Sequence, residues 1–165
     1  MSGHPSWLLL ILFYALCAAS LSAEPLSVSD HESIMLIADM LGVPRSVADR
    51  LQIEESGDPH TGAWGDSEAI GPVGSDGSRS RGLYGISMRW QSYLVGLYFP
   101  HPAQYFDWAS PIDSAVAGLG YLAALHSRFG SWERALWFYN AGRVEDVPEE
   151  TRAYARRIVE WAGTP

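Results

Sequence analysis

Cysteine is nearly absent: Cys17 is the only one among 165 residues. A lone cysteine closes no intramolecular disulfide, and this one falls inside an apolar run near the start. The chain beyond it therefore holds no disulfide framework and no thiolate metal site. Basic residues are also scarce, with 11 Lys and Arg against 19 Asp and Glu and a formal net charge of −8. That balance argues against nucleic acid as a partner, because phosphate binding needs clustered cations. His4, His31, His60, His101 and His126 share no ligand spacing on a helix, so no metal and no cofactor is expected. No glycine-rich phosphate loop follows a strand, and no serine elbow sits in a strand–turn–helix context. Low-complexity tracts and internal repeats are missing too.

What the chain does have begins with an unbroken apolar run from Trp7 to Ala19. At about 13 residues it falls short of the roughly 20 that cross a bilayer. Small residues follow at Ala18, Ala19, Ser20, Ser22 and Ala23. The pattern reads as a signal peptide over residues 1–23, cut between Ser20 and Ala23. Its amino-terminal region carries no Lys or Arg, and Leu21 is bulky for a cut after Ala23. Leu16, not a small residue, precedes Cys17, which argues against lipid attachment there. The expectation is an exported protein, periplasmic or otherwise in the cell envelope, with no membrane span in the mature chain.

Residues 24–29 read as a linker. Ser29 and Glu32 have capping-box spacing, and a helix follows through Ile34, Ile37, Ala38 and Leu41 to Gly42. Pro44 opens a second helix that places Val47, Leu51 and Glu55 on one side. From Gly57 to Arg81 the chain is rich in Gly, Ser, Asp and Pro without a period, the mark of a long functional or disordered loop. A short helix or extended piece is expected from Ser87 to Leu97, broken by Pro100 and Pro102. Ile112 to Phe129 is strongly amphipathic, with Ala115, Leu119, Leu122, His126 and Phe129 on one stripe, and Gly130 ends it. Ser131 caps a helix from Trp132 to Tyr139, a turn follows at Asn140-Ala141-Gly142, and Pro148 opens a last helix with Tyr154, Ile158 and Trp161 on one face. No strand pattern competes, so the expected fold is one all-α domain over residues 30–162.

Glu55 is the candidate for chemistry. It stands at the carboxyl end of its helix on the apolar side, and both features disfavour its anion. A carboxylic acid still protonated near neutral pH can protonate a leaving oxygen. Position alone leaves a second reading open, a solvated helix-end residue beside Glu54. Seven Trp and eight Tyr supply flat faces that suit sugar rings as well as ordinary cores.

Four motifs follow in order: Glu55-Ser56, Gly82-Leu83-Tyr84-Gly85, Phe138-Tyr139-Asn140-Ala141-Gly142 and Thr151-Arg152-Ala153-Tyr154. In this order they resemble the soluble lytic transglycosylase family of the lysozyme-like superfamily, related to goose-type lysozymes. The likeness spans Val47 to Val159 and includes the helix from Tyr121 to Gly130.

The resemblance implies a lysozyme-like helical domain with a long loop after the catalytic helix, acting on peptidoglycan glycan strands without a cofactor. It implies Glu55 as general acid and then general base for the β-1,4 bond between N-acetylmuramic acid and N-acetylglucosamine. The acetamido group of the substrate assists, and a 1,6-anhydromuramoyl end results. Ser56, Tyr84, Tyr139, Asn140 and Tyr154 come with the motifs as substrate-binding residues. Ser75 and Ser78 join them from Ser75-Asp76-Gly77-Ser78, which is similar to a turn of lysozyme-like domains and offers the acid a hydrogen bond. Two departures stand out: the gap between Glu55 and Gly82 is longer than in the family's compact members, and Gly85 occupies a position where the family usually has Gln. Gly85 and the altered loop motivate an alternative, an inert peptidoglycan-binding or scaffold protein on the same fold. A second alternative is a hydrolytic muramidase, with Asp66, Glu68 or Asp76 positioning water.

Overall fold

The computed structural model describes residues 30–62, 64–65, 69–74, 77–89 and 106–163. The export-like segment, the linker and Trp90 to Leu97 lie outside these residues, as do Pro100 and Pro102.

Among the described residues the chain forms five helices: α1 (Asp30–Leu41), α2 (Arg45–Ser56), α3 (Pro111–Phe129), α4 (Trp132–Ala141) and α5 (Glu149–Trp161). Three short strands stand between α2 and α3: β1 (Ile70–Val73), β2 (Arg79–Arg81) and β3 (Ile86–Ser87). They pair antiparallel in the order β1-β2-β3, with a bulge between Ile70 and Val73.

The expectation of a purely helical domain is therefore corrected to a mostly helical one with a small sheet. Four, three and two residues are too few for an apolar alternation to register. β1 and β2 are also largely exposed and are held by backbone pairing rather than by apolar burial. Ser87, expected to begin a helix or an extended piece, is extended in β3.

The core forms around α3. Ser110 caps it by accepting the Asp113 amide, and Asp113 in turn accepts the Asp107 amide at 2.9 Å. Ala115, Val116, Ala117, Leu119 and Leu122 are buried. They meet Ile34, Met35, Ile37 and Ala38 of α1 and Ala135 and Leu136 of α4. Helix α5 closes the body by packing on α2 and α4. Its Tyr154 and Ile158 are buried as the spacing predicts, but Trp161 is 58% exposed. The Trp161 ring instead lies under the Arg50 guanidinium, 4.9 Å from its centroid. Helix α4 runs two residues past Tyr139, so Asn140 and Ala141 are helical and the turn is made at Gly142.

The turn between β2 and β3 ties the sheet to this body. Gly82-Leu83-Tyr84-Gly85 is the turn between β2 and β3, and its two central side chains insert into the core. Leu83 is 4% exposed and Tyr84 0%. Gly118 of α3 makes room for the plug, since a Cβ there would stand 2.4 Å from the Cβ of Tyr84.

Candidate active site

Three helices clasp the backbone of the plugged turn. Ser56 at the end of α2 donates to the Leu83 carbonyl at 2.7 Å. Tyr139 of α4 donates to the Tyr84 carbonyl at 2.7 Å. Ser114 of α3 accepts the Tyr84 amide at 3.3 Å. With the turn fixed in this way, the sheet stands opposite α3 and α4 and leaves a cleft of about 680 Å³ between them. That size falls among ordinary ligand pockets, about 300–1,000 Å³.

Glu55 faces this cleft from the carboxyl end of α2. Its Oε1 accepts a short hydrogen bond from the Tyr154 hydroxyl of α5. Burial pushes its carboxyl up from an ordinary 4.5 to about 7. The Tyr154 hydrogen bond pulls it partly back, and the neighbouring Glu54 charge adds to the rise. Burial first, and then the Glu55 charge, hold the phenols of Tyr139 and Tyr154 well above their ordinary range, so both remain donors.

Glu54, one residue away, has the opposite environment. Its side chain is 3% exposed, with Arg50 Nη2 2.7 Å from Oε1 and Arg157 Nη2 2.7 Å from Oε2. Burial raises its carboxyl, but the Arg157 and Arg50 contacts outweigh that and hold it below the usual range. Neither adjacent carboxylate is the solvated helix-end residue that position alone left open. One is pushed toward its neutral form at the cleft, and the other is an ion clamped behind it.

Gly85 comes against the acid from the other side. Its φ is +58°, and a Cβ built there would stand 2.2 Å from Glu55 Oε2 and 3.1 Å from Glu55 Cδ. The glycine therefore serves two needs, a left-handed turn and backbone contact with a carboxylate. A glutamine at this position would occupy the space that Glu55 takes.

The cleft collects Glu55, Ser78, Tyr139 and Asn140 from the sequence-predicted residues. Ser78 meets the Ser87 hydroxyl at 2.9 Å, beside Ser80 on the sheet wall. Asn140 Oδ1 accepts from Thr151 at 2.8 Å, and among the described residues its amide NH2 has no partner. Three other predicted residues do not line the cleft. Tyr84 is the core plug, its hydroxyl 3.3 Å from the Ala48 carbonyl. Ser56 is a turn clasp, also 3.2 Å from the Gln52 carbonyl. Tyr154 reaches the site only through Glu55. Ser75, Asp66, Glu68 and Asp76 lie outside the described residues.

Sequence reading missed Tyr121, Leu125 and Arg128, which line the opposite wall. Steps of four and three place them on one stripe of α3, apart from the core stripe that drew attention. That second period is the signal that could have found them.

Among the described residues no group of three or more His, Cys, Asp or Glu is arranged to hold a metal ion, and no helix is long and apolar enough to cross a membrane. No family model, no curated protein and no solved structure matches this chain.

Proposed function

We propose that this protein is an exported peptidoglycan lytic transglycosylase with a lysozyme-like domain. The observation that carries the reading is Glu55: a carboxylic acid at a cleft, titrating at about 7 and held by a tyrosine from another helix. Such a group is a proton donor and acceptor matched to neutral pH. Among the described lining residues Glu55 is the one carboxylate. One acid suits a reaction in which the substrate supplies its own nucleophiles.

The proton of Glu55 goes to the oxygen leaving with N-acetylglucosamine as the C1–O bond breaks. The acetamido oxygen of N-acetylmuramic acid takes up the positive centre. The 6-hydroxyl of the same sugar then attacks C1, and its proton returns to Glu55. The two proton transfers cancel, no water is consumed, and a 1,6-anhydro ring closes. Asn140 offers its amide NH2 to an acetamido carbonyl, and Tyr139 forms part of the wall beside the acid.

Mass spectrometry of the products released from purified sacculi tests the reading. The expected muropeptides are about 18 Da lighter than hydrolysed ones, the mass of the water not consumed. Reducing-end products would make the enzyme a hydrolytic muramidase and move the search to Asp66, Glu68 and Asp76. Binding without release would identify an inert scaffold. Full activity in Glu55→Gln would overturn the role of the acid altogether.

A further inference from the structure

We infer that Arg128 is the cleft's receptor for a substrate carboxylate, so that the site selects carboxylate-bearing muramyl glycan over neutral glycan. The inference rests on the proposed glycan substrate and adds the residue that discriminates among such substrates.

Three observations carry it. First, Glu55 and Arg128 are the only charged residues among the described lining of the cleft. Glu55 is buried and its carboxyl is pushed up to about 7, so it is mostly neutral only below that pH, whereas Arg128 is the fixed charge. A positive cleft in a chain of formal net charge −8 is the reverse of what composition favours.

Second, Arg128 has no acidic partner among the described residues. Arg45, Arg50, Arg156 and Arg157 each hold a carboxylate within 2.7 Å. Other described arginines also lack an ion pair with an acid, but among the described residues Arg128 is the arginine that lines the cleft, where such a cation is open to an anionic ligand.

Third, the guanidinium is seated. Its carbon lies 5.1 Å from the Phe129 ring centroid and 5.5 Å from that of Phe138, itself a cleft residue. Aromatic contact engages the face of the guanidinium and leaves its in-plane N–H donors for a carboxylate, which they match in bidentate fashion.

Two sources supply that carboxylate on a muramyl glycan: the lactyl group of a peptide-free N-acetylmuramic acid, or the stem peptide attached to it. Both present the same chemistry to Arg128, and the test separates them.

The experiment is titration calorimetry with Glu55→Gln, which removes turnover, and with the double variant Glu55→Gln/Arg128→Gln. The ligands are a peptide-free muramyl glycan, its peptide-bearing counterpart and a neutral N-acetylglucosamine oligomer of equal length. The expected result is roughly tenfold weaker binding of carboxylate-bearing glycan on loss of Arg128, with the neutral oligomer unchanged. A loss confined to the peptide-bearing ligand assigns the stem carboxylate; a loss already present in the peptide-free one assigns the lactyl group. Arg128→Lys restores part of the loss, because it keeps charge without the planar fork. Equal weakening for all three ligands would overturn the proposal, since the side chain would then act by shape. No change for any of them would overturn it too. If none of the three binds the Arg128-bearing protein, the glycan reading itself fails and takes this proposal with it. Arg128 is exposed, so equal melting temperatures for the two proteins are expected and verify that the fold is intact.

Discussion

The hydroxyl of Tyr154 donates to Oε1 of Glu55, joining two side chains 99 residues apart in sequence. The hydrogen bond orients the acid, and it also favours the ionised form, opposing the rise caused by burial. Tyr154→Phe removes the donor without changing the volume of the ring. The carboxyl then titrates above about 7, so the alkaline limb of kcat, where the general acid loses its proton, moves to higher pH. At the optimum, activity falls roughly ten- to a hundredfold, because the acid loses its fixed position. A pH–rate profile of Tyr154→Phe on sacculi checks both; a limb unmoved or moved downward contradicts the assignment.

Glu55→Gln is expected to cost activity by a factor of about 10²–10⁴, the span of general acid–base catalysis. It has a second, opposite consequence. The folded protein holds the Glu55 proton more tightly than the unfolded chain does, since the carboxyl titrates at about 7 rather than 4.5. The neutral acid's stability is fully present below about pH 4.5 and is lost as pH rises through about 7, an effect of at most about 3 kcal/mol. Gln cannot ionise. The variant is therefore expected to melt higher than the parent at pH 8 and close to it at pH 4. Differential scanning calorimetry at the two pH values reads this directly.

Glu54→Gln separates structure from chemistry behind the site. It leaves Arg50 and Arg157 without their shared anion and is expected to destabilise the fold by about 1–3 kcal/mol, read from urea unfolding. It also removes a negative charge beside Glu55, one of the causes of that acid's raised pKa. The alkaline limb of kcat accordingly moves to lower pH, opposite to the shift expected in Tyr154→Phe. Equal shifts in the same direction would contradict the electrostatic account.

Gly85→Gln, the change toward the pattern of the transglycosylases that the motifs resemble, is expected to abolish activity rather than improve it. The first side-chain atom would displace the Glu55 carboxylate, which is 2.2 Å from its position. Left-handed backbone adds about 1–2 kcal/mol of instability for a residue with a Cβ. Gly85→Ala suffers the same displacement, so both variants lose sacculus-clearing activity while circular dichroism remains helical. Gain of activity in Gly85→Gln would show that the Glu55 conformation described above is not the working one.

The helices were readable because their signals are long and redundant. Ser110, Gly130 and Ser131 punctuate a period that runs for nineteen residues in α3. Position on the apolar side of α2 left the role of Glu55 open; the resemblance in the motifs, rather than spacing, pointed to Glu55 and to Tyr154 beside it. The sheet was not, because its longest strand has four residues and its stability comes from a turn plugged into another element's core. The same physics relocated Tyr84 and Ser56. A motif places residues near one another in the chain, but it does not say which side chain faces the cleft and which holds the backbone. Arg128 escaped notice because an exposed cation on a helix is ordinarily a solvated one. Only the tertiary pairing of α3 with the sheet puts it on the wall of the cleft that Glu55 faces.

The environment that makes Glu55 an acid near neutrality is assembled from distant parts of the chain. The backbone of Gly85 closes on one oxygen, and Tyr154, from the last helix, closes on the other. During synthesis the glutamate is made long before the tyrosine. A nascent or truncated chain lacking α5 therefore presents Glu55 without its orienting donor and without the helix that packs on α2. Under the proposed function, a copy made only as far as α4 is expected to be chemically quiet, because its acid would lack the donor that Tyr154 supplies.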